Sequence, residues 1–264
     1  MIGLSRVIDF HAHAFPEAIA EKAVAQIGRH YSLNMNCKGI LEDLRQSAES
    51  RQVDYVVFHS TATKPAQVRT VNDWLAEHDG GMLVGFGTLH PDYEDIEGEL
   101  DRIISLGLKG IKLHPEFQGF YADESKMDRV YKAIGSKLPV LIHAGDENFD
   151  NSSPRRIARV LERFPELTLV AAHLGGHKQW EESRKYLVGR NLYFDTSSAL
   201  WFMEPQEAVT LMRDHGTHRI VFGTDYPIVN HQMELEVFDQ LPLTARERED
   251  ILYNNAARLL KLPS

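Results

Sequence analysis

The segment Arg6-Val7-Ile8-Asp9-Phe10-His11-Ala12-His13 is an apolar run, Arg6–Phe10, that ends in two histidines one residue apart. An open doubly wound sheet follows its first strand with a Gly-rich phosphate loop. Here His-Ala-His stands in that place, so the run reads as the first strand of a different parallel architecture. Working outward, seven further short runs rich in β-branched and apolar residues follow at regular spacing: Val53–Phe58, Met82–Thr88, Leu108–Leu113, Pro139–Ile142, Leu167–Ala172, Asn191–Asp195 and Arg219–Gly223. Segments of helical period lie between them, among them Ile96–Leu106, Ser125–Leu138, Pro154–Phe164 and Pro205–His215, several opened by Ser, Asp or Pro.

Strand alternating with helix demands parallel pairing, because each crossover returns the chain to the same end of the sheet. Eight repeats predict a closed (β/α)8 TIM barrel forming one domain over residues 1–264. The longest connection, Pro16–Gln52, is expected to hold two helices broken at Ser32–Gly39, and Met233–Leu241 and Ala245–Leu260 are expected to close the barrel. At 264 residues the chain buries roughly 70–75% of its unfolded surface, so it needs no disulfide or metal for stability. A metal would serve chemistry.

The charge balance is −9, from 29 Lys+Arg against 38 Asp+Glu, which argues against nucleic acid and anionic membrane as partners. No apolar run reaches the roughly 18 residues of a membrane span. The single cysteine, Cys37, has no partner for an internal disulfide and is given no chemistry; with no secretory signal at the start, a cytoplasmic location is expected. The expected partner is a small-molecule substrate, with a homodimer left open as the assembly.

In such barrels the carboxyl ends of all strands share one mouth, where the reacting groups sit. Seven of 13 histidines fall at those ends: His11, His13, His59, His90, His114, His143 and His173, with Asp225 after the eighth strand. Side chains two apart on a strand share a face, so His11 and His13 can grip one ion, and Asp9 is expected on that face as a lower-layer or supporting carboxylate. His143 and Asp225 end buried runs, where a polar group must find a partner. Three imidazoles and a carboxylate suit Zn²⁺ with an open position for water. His173 is read as a free base and donor beside that water, the alternative being a ligand.

Lys112 and His114 share a face on strand four. An inward lysine calls for acidic partners, a substrate anion, or carbamylation between two metals. Phe117 and Tyr121 in the Gly-containing loop 116–123, read as a lid, and Trp201 in loop 197–202 are expected to touch an apolar or aromatic part of the substrate. Asp146, Asn148, Thr61 and Thr63 are further candidates, whereas His30, His78, His215, His218 and His231 are read as surface or capping residues.

Ile8-Asp9-Phe10-His11-Ala12-His13, His143-Ala144-Gly145, His173-Leu174-Gly175-Gly176, Gly223-Thr224-Asp225-Tyr226-Pro227 and Asn254-Asn255-Ala256-Ala257-Arg258-Leu259-Leu260 occur here in one order. In that order they resemble the amidohydrolase superfamily, specifically its amidohydrolase-2 branch of metal-dependent hydrolases and decarboxylases, which includes aminocarboxymuconate-semialdehyde decarboxylase. The resemblance implies that His11, His13, His143 and Asp225 hold one divalent metal, usually zinc, and that His173 is catalytic. Gly110-Ile111-Lys112-Leu113-His114-Pro115 is instead similar to strand four of urease, which implies two metals bridged by a carbamylated Lys112. Hydrolysis of an ester, lactone or amide is the leading expectation, with water activated by zinc and Asp225 moving the proton. Nonoxidative decarboxylation of an unsaturated or aromatic acid is the second, and a barrel that binds metal without turnover the third.

Overall fold

The computed structural model describes residues 6–262; the ends of the expected domain, 1–5 and 263–264, lie outside the described residues. Eight strands run in the order of the chain: β1 Ile8–His13, β2 Tyr55–His59, β3 Leu83–Thr88, β4 Gly110–Leu113, β5 Val140–Ile142, β6 Leu169–Ala171, β7 Tyr193–Asp195 and β8 Ile220–Val221. Every neighbouring pair is parallel. Closure between β8 and β1 rests on Phe10 N donating to Phe222 O (2.8 Å), Asp225 N to His11 O (2.8 Å) and His13 N to Tyr226 O (2.7 Å). The chain is the expected (β/α)8 barrel.

Helices α1 Glu17–Tyr31 and α2 Leu41–Glu49 fill the long first connection as expected; α3 Val68–His78 and α4 Ile96–Ser105 follow β2 and β3. Next come α5 Pro115–Gln118, α6 Asp128–Ile134, α7 Pro154–Arg163, α8 Trp180–Tyr186 and α9 Pro205–His215. After β8, α10 His231–Phe238 is followed by α11 Ala245–Glu249, a π turn and α12 Asn255–Leu260. Local chemistry sets several starts. Asp95 accepts from Gly98 N at 2.9 Å, Asn230 from Met233 N at 2.9 Å, and Thr244 and Glu247 form a capping box.

Ile8, Phe10, Val57, Val84, Phe86, Leu141, Val170 and Val221 fill the barrel's interior, plugged by Tyr253, Ala256 and Leu260. A larger layer packs strands against helices. Its apolar character forces every polar strand-end group toward the mouth.

β1 carries one irregularity with functional weight. Asp9 pairs with Val56 and Ala12 with Phe58, so Phe10 and His11 together oppose Val57. Such a bulge re-aims side chains. It corrects the expectation that Asp9 and His11 share a face by simple alternation: Asp9 accepts from Thr224 Oγ1 (2.6 Å), Thr224 N and His11 N (3.0 Å each) and clamps the end of β8.

Candidate metal centre

The bulge brings His11 and His13 to the mouth together. His11 Nδ1 lies 2.8 Å from Asp195 Oδ2. A carboxylate only accepts, so that nitrogen carries the proton and Nε2 presents its lone pair. His13 Nε2 stands 3.3 Å from His11 Nε2, and Asp225 Oδ1 lies 3.5 Å from the first-strand His11 Nε2 and 3.3 Å from His13 Nε2. Ligands bound at about 2.0–2.1 Å around one tetrahedral ion lie about 3.3 Å apart. These three atoms therefore fit a single divalent cation.

Charge supports the fit. Burial, with the nearby Lys112 and His11 charges, pushes His13 down to about 4 against the pull of Asp225. Burial alone would raise the Asp225 carboxyl, but His11, His13 and His173 hold it well below the usual carboxylate range. A neutral His13 imidazole and an ionised Asp225 carboxylate are the protonation states a cation requires. Asp225 also sits at φ 58°, a strained setting for a non-glycine residue, and Ser198 Oγ donates to its Oδ2 at 2.6 Å.

Lys112 is fully buried, with Nζ 2.8 Å from His11 Nε2. Burial pulls it down to about 8 against the carboxylates of Asp225, Asp195 and Glu116.

His143 and His173 pose a second problem. His143 Nε2 lies 2.8 Å from Gly145 O, and His173 Nδ1 lies 2.8 Å from Ser197 O. Carbonyls only accept, so both nitrogens are N–H, and the remaining lone pairs, His143 Nδ1 and His173 Nε2, face each other at 3.0 Å. Burial holds His173 down at about 3 and His143 well below its ordinary value, so a shared proton is disfavoured. A cation beside the pair, taking both lone pairs, would remove the conflict. His173, at φ 60°, is also held in the left-handed region.

The C-terminal turn of α1 closes this side. Tyr31 Oη lies 3.2 Å from His114 Nε2 and 3.1 Å from His143 Nε2, while His30 Nε2 pairs with Asp146 Oδ2 at 2.8 Å. The His114 and His143 rings stack at 4.1 Å. Glu116 Oε2 lies 3.5 Å from His114 Nδ1, and burial raises this carboxyl to about 7. His114, Glu116 and His143 thus bring three more ligand atoms within 4.8 Å of one another.

A narrow cleft opens beside His13, walled by Phe15, Ile27, Phe117, Thr61 and Thr63. Of the residues expected to contact substrate, Phe117 lines this cleft, and Lys112 and His114 lie deeper. Tyr121, 45% exposed, packs under the Arg156 guanidinium at 4.4 Å, and Trp201, 44% exposed, donates to Glu234. The 116–123 loop is not a free lid in its first half: Gln118 Nε2 donates to Ala62 O (3.0 Å) and Leu89 O (2.8 Å), and Ser152 Oγ donates to Glu116 (2.6 Å).

Sequence reasoning assigned no role to Tyr31, Asp195 or His177, all now beside the cluster, and it misplaced three histidines. His30 belongs to the α1 closure, His215 is stacked on Phe194 in the core, and His231 is fully buried with Nε2 3.0 Å from Asp9 Oδ2. Asp195, ending a buried run, carried the same signal that singled out Asp225.

No described helix is long and apolar enough to cross a membrane. A family model described as Amidohydrolase matches residues 8–262. Decarboxylase orsB of Emericella nidulans is 24% identical over 284 residues, covering 85% of each chain. The 2-amino-3-carboxymuconate-6-semialdehyde decarboxylase of Caenorhabditis elegans is 26% identical over 142 residues, 47% of this chain and 35% of that protein. Among solved structures, 5-carboxyvanillate decarboxylase of Novosphingobium aromaticivorans, complexed with manganese and 4-hydroxy-3-methoxy-5-nitrobenzoic acid, superposes with a TM-score of 0.72 at 17% identity over 98% of this chain and 96% of that one. An Acinetobacter baumannii protein described as a probable 2-pyrone-4,6-dicarboxylic acid hydrolase, with citric acid bound, reaches 0.69 at 16% identity over 97% and 100%. At these identities the two structures speak for the barrel alone.

Proposed function

The chain belongs to the amidohydrolase family, in its amidohydrolase-2 branch, and from that premise we propose that it is a metal-dependent decarboxylase of an unsaturated or aromatic carboxylic acid. The observation that carries the metal part is the triangle of His11 Nε2, His13 Nε2 and Asp225 Oδ1, with edges of 3.3–3.5 Å. The choice of decarboxylation over the hydrolysis expected first is supported by the relative matched over 85% of each chain, itself named a decarboxylase, and by the second relative, also named a decarboxylase.

In this reading His11, His13 and Asp225 would hold the ion, the His143 Nδ1 and His173 Nε2 lone pairs would be available to it, and Lys112 as a carbamate would serve a second ion. Zinc suits the nitrogen-rich set, and the manganese of the 5-carboxyvanillate decarboxylase marks the alternative. The bound ion supplies a Lewis acid that fixes the substrate's oxygens. The protein does the rest. Groups at most 9% exposed, such as His11, His13 and Asp225, strip water from the substrate carboxylate. The bond from that carboxylate to the ring or alkene carbon breaks, carbon dioxide leaves, and the electron pair stays on carbon. Asp225, ionised at rest, would take a proton from a substrate hydroxyl or water and return it to that carbon, the phenolate or hydroxide left behind regaining a proton from solvent, with the His173 Nε2 lone pair available to accept a hydrogen bond. Phe117 and Phe15 wall the substrate's flat face.

Metal-loaded protein assayed on a panel of aromatic and unsaturated acids, for carbon dioxide release, and on esters, lactones and amides, for hydrolysis, tests the reading. Carbon dioxide formed in step with acid consumed supports it; cleavage of a lactone or amide without carbon dioxide overturns it in favour of hydrolysis, the activity named for the Acinetobacter barrel.

A further inference from the structure

His59 ends β2 opposite His13 in the register, and its ring meets that of His13 edge-on at 4.4 Å and that of His11 at 5.0 Å. It is fully buried, yet neither ring nitrogen has a hydrogen-bond partner among the described residues. Two positions on, Thr61 lines the cleft beside His13, and its Oγ1 is buried and unpartnered too. Buried polar atoms without partners are rare and costly, and two on one strand end point to a missing occupant.

We propose that His59 and Thr61 form a polar subsite on β2 that binds a carboxylate oxygen of the substrate and the hydroxyl or water beside it. The proposal rests on the carboxylic-acid reading above. A His59 ring nitrogen lies within 4.8 Å of the ligand nitrogens of His11 and His13. One oxygen atom, with hydrogen bonds of about 2.8 Å, spans that separation. An imidazole with neither nitrogen partnered offers one N–H and one lone pair. The N–H and the Thr61 hydroxyl can donate to a carboxylate oxygen, and the ring lone pair can accept from a hydroxyl or water.

The test uses His59→Phe and Thr61→Val, which keep volume and remove the polar atoms. Binding of salicylate and benzoate to the metal-loaded wild type and variants is measured by calorimetry, with metal content and melting temperature alongside. Affinity for the bound acid is expected to fall about 10–100-fold in each variant, the range for a lost hydrogen bond to a charged group, while metal content matches wild type and ligand-free melting temperature holds or rises. A wild type that binds acid while the variants bind it equally well overturns the subsite alone. Loss of metal in His59→Phe overturns it as well, by making His59 a ligand. A wild type that binds neither acid removes the carboxylic-acid reading and this subsite with it.

Discussion

Asp195 Oδ2 lies 2.8 Å from His11 Nδ1 across 184 residues of chain, and Asp195 Oδ1 also accepts from His173 N at 2.9 Å and Ser197 Oγ at 2.5 Å. One carboxylate therefore sets the tautomer of a first-strand histidine and the backbone of the sixth-strand histidine. The imidazoles of His11 and His173 and the Ser197 hydroxyl hold it down to about 2 against burial.

Asp195→Asn removes the negative charge behind His11. Metal affinity is expected to fall about 10–100-fold, the usual effect of losing such a supporting partner. Competition with a metallochromic chelator measures it; an unchanged dissociation constant would show that His11 needs no orienting partner.

Asp225→Asn keeps size and removes the proton carrier. Turnover is expected to drop by about 10² or more. Steady-state kinetics on metal-saturated variant reads this directly, and near-normal turnover would take the proton-transfer role away from Asp225.

Tyr31→Phe deletes the hydroxyl bridging His114 and His143. His143 Nε2 keeps Gly145 O, but leaving the buried His114 Nε2 without its partner is expected to cost about 1–3 kcal/mol, with metal content unchanged. Urea unfolding monitored by fluorescence checks it; equal stability would mean that α1 closes over the mouth without anchoring it.

His215 offers a pH test away from the metal. Its Nε2 donates to Leu192 O at 2.9 Å, its Nδ1 accepts from Gly189 N at 3.3 Å, and burial pushes it down to about 4. Above about pH 6.5 it is neutral in both states and contributes nothing. Between about 6.5 and 4 the unfolded chain takes up a proton the folded chain refuses, so stability falls with pH. His215→Phe removes this, and from pH 7.5 to 5.5 the variant is expected to gain about 1.4 kcal/mol relative to wild type. Parallel denaturation curves would contradict the assignment.

The barrel was legible because apolar runs and helical segments alternate eight times, and the mouth was legible because histidines end those runs. Of the four ligands expected, His11, His13 and Asp225 stand 3.3–3.5 Å apart, while His143 pairs with His173 at 3.0 Å. What escaped depends on contacts between distant segments. The bulge at Phe10–His11 leaves no mark in the residue alternation, and Tyr31 reaches the mouth only because α1 folds back over it. His30 and Asp146, 116 residues apart, and His231 beside Asp9 find each other through the same closure. Alternation predicts which end of a strand a residue occupies, whereas the partner it meets there is decided by loop packing.

The central claim is that His11, His13 and Asp225 hold a divalent cation on which activity depends. Metal analysis of protein purified without chelator, for wild type and His13→Ala, tests it most directly. Wild type is expected to carry about one equivalent, or two if Lys112 is carbamylated, with His13→Ala losing at least one. Wild-type protein that stays free of metal when offered zinc or manganese would contradict the account, as would His13→Ala retaining the wild-type content.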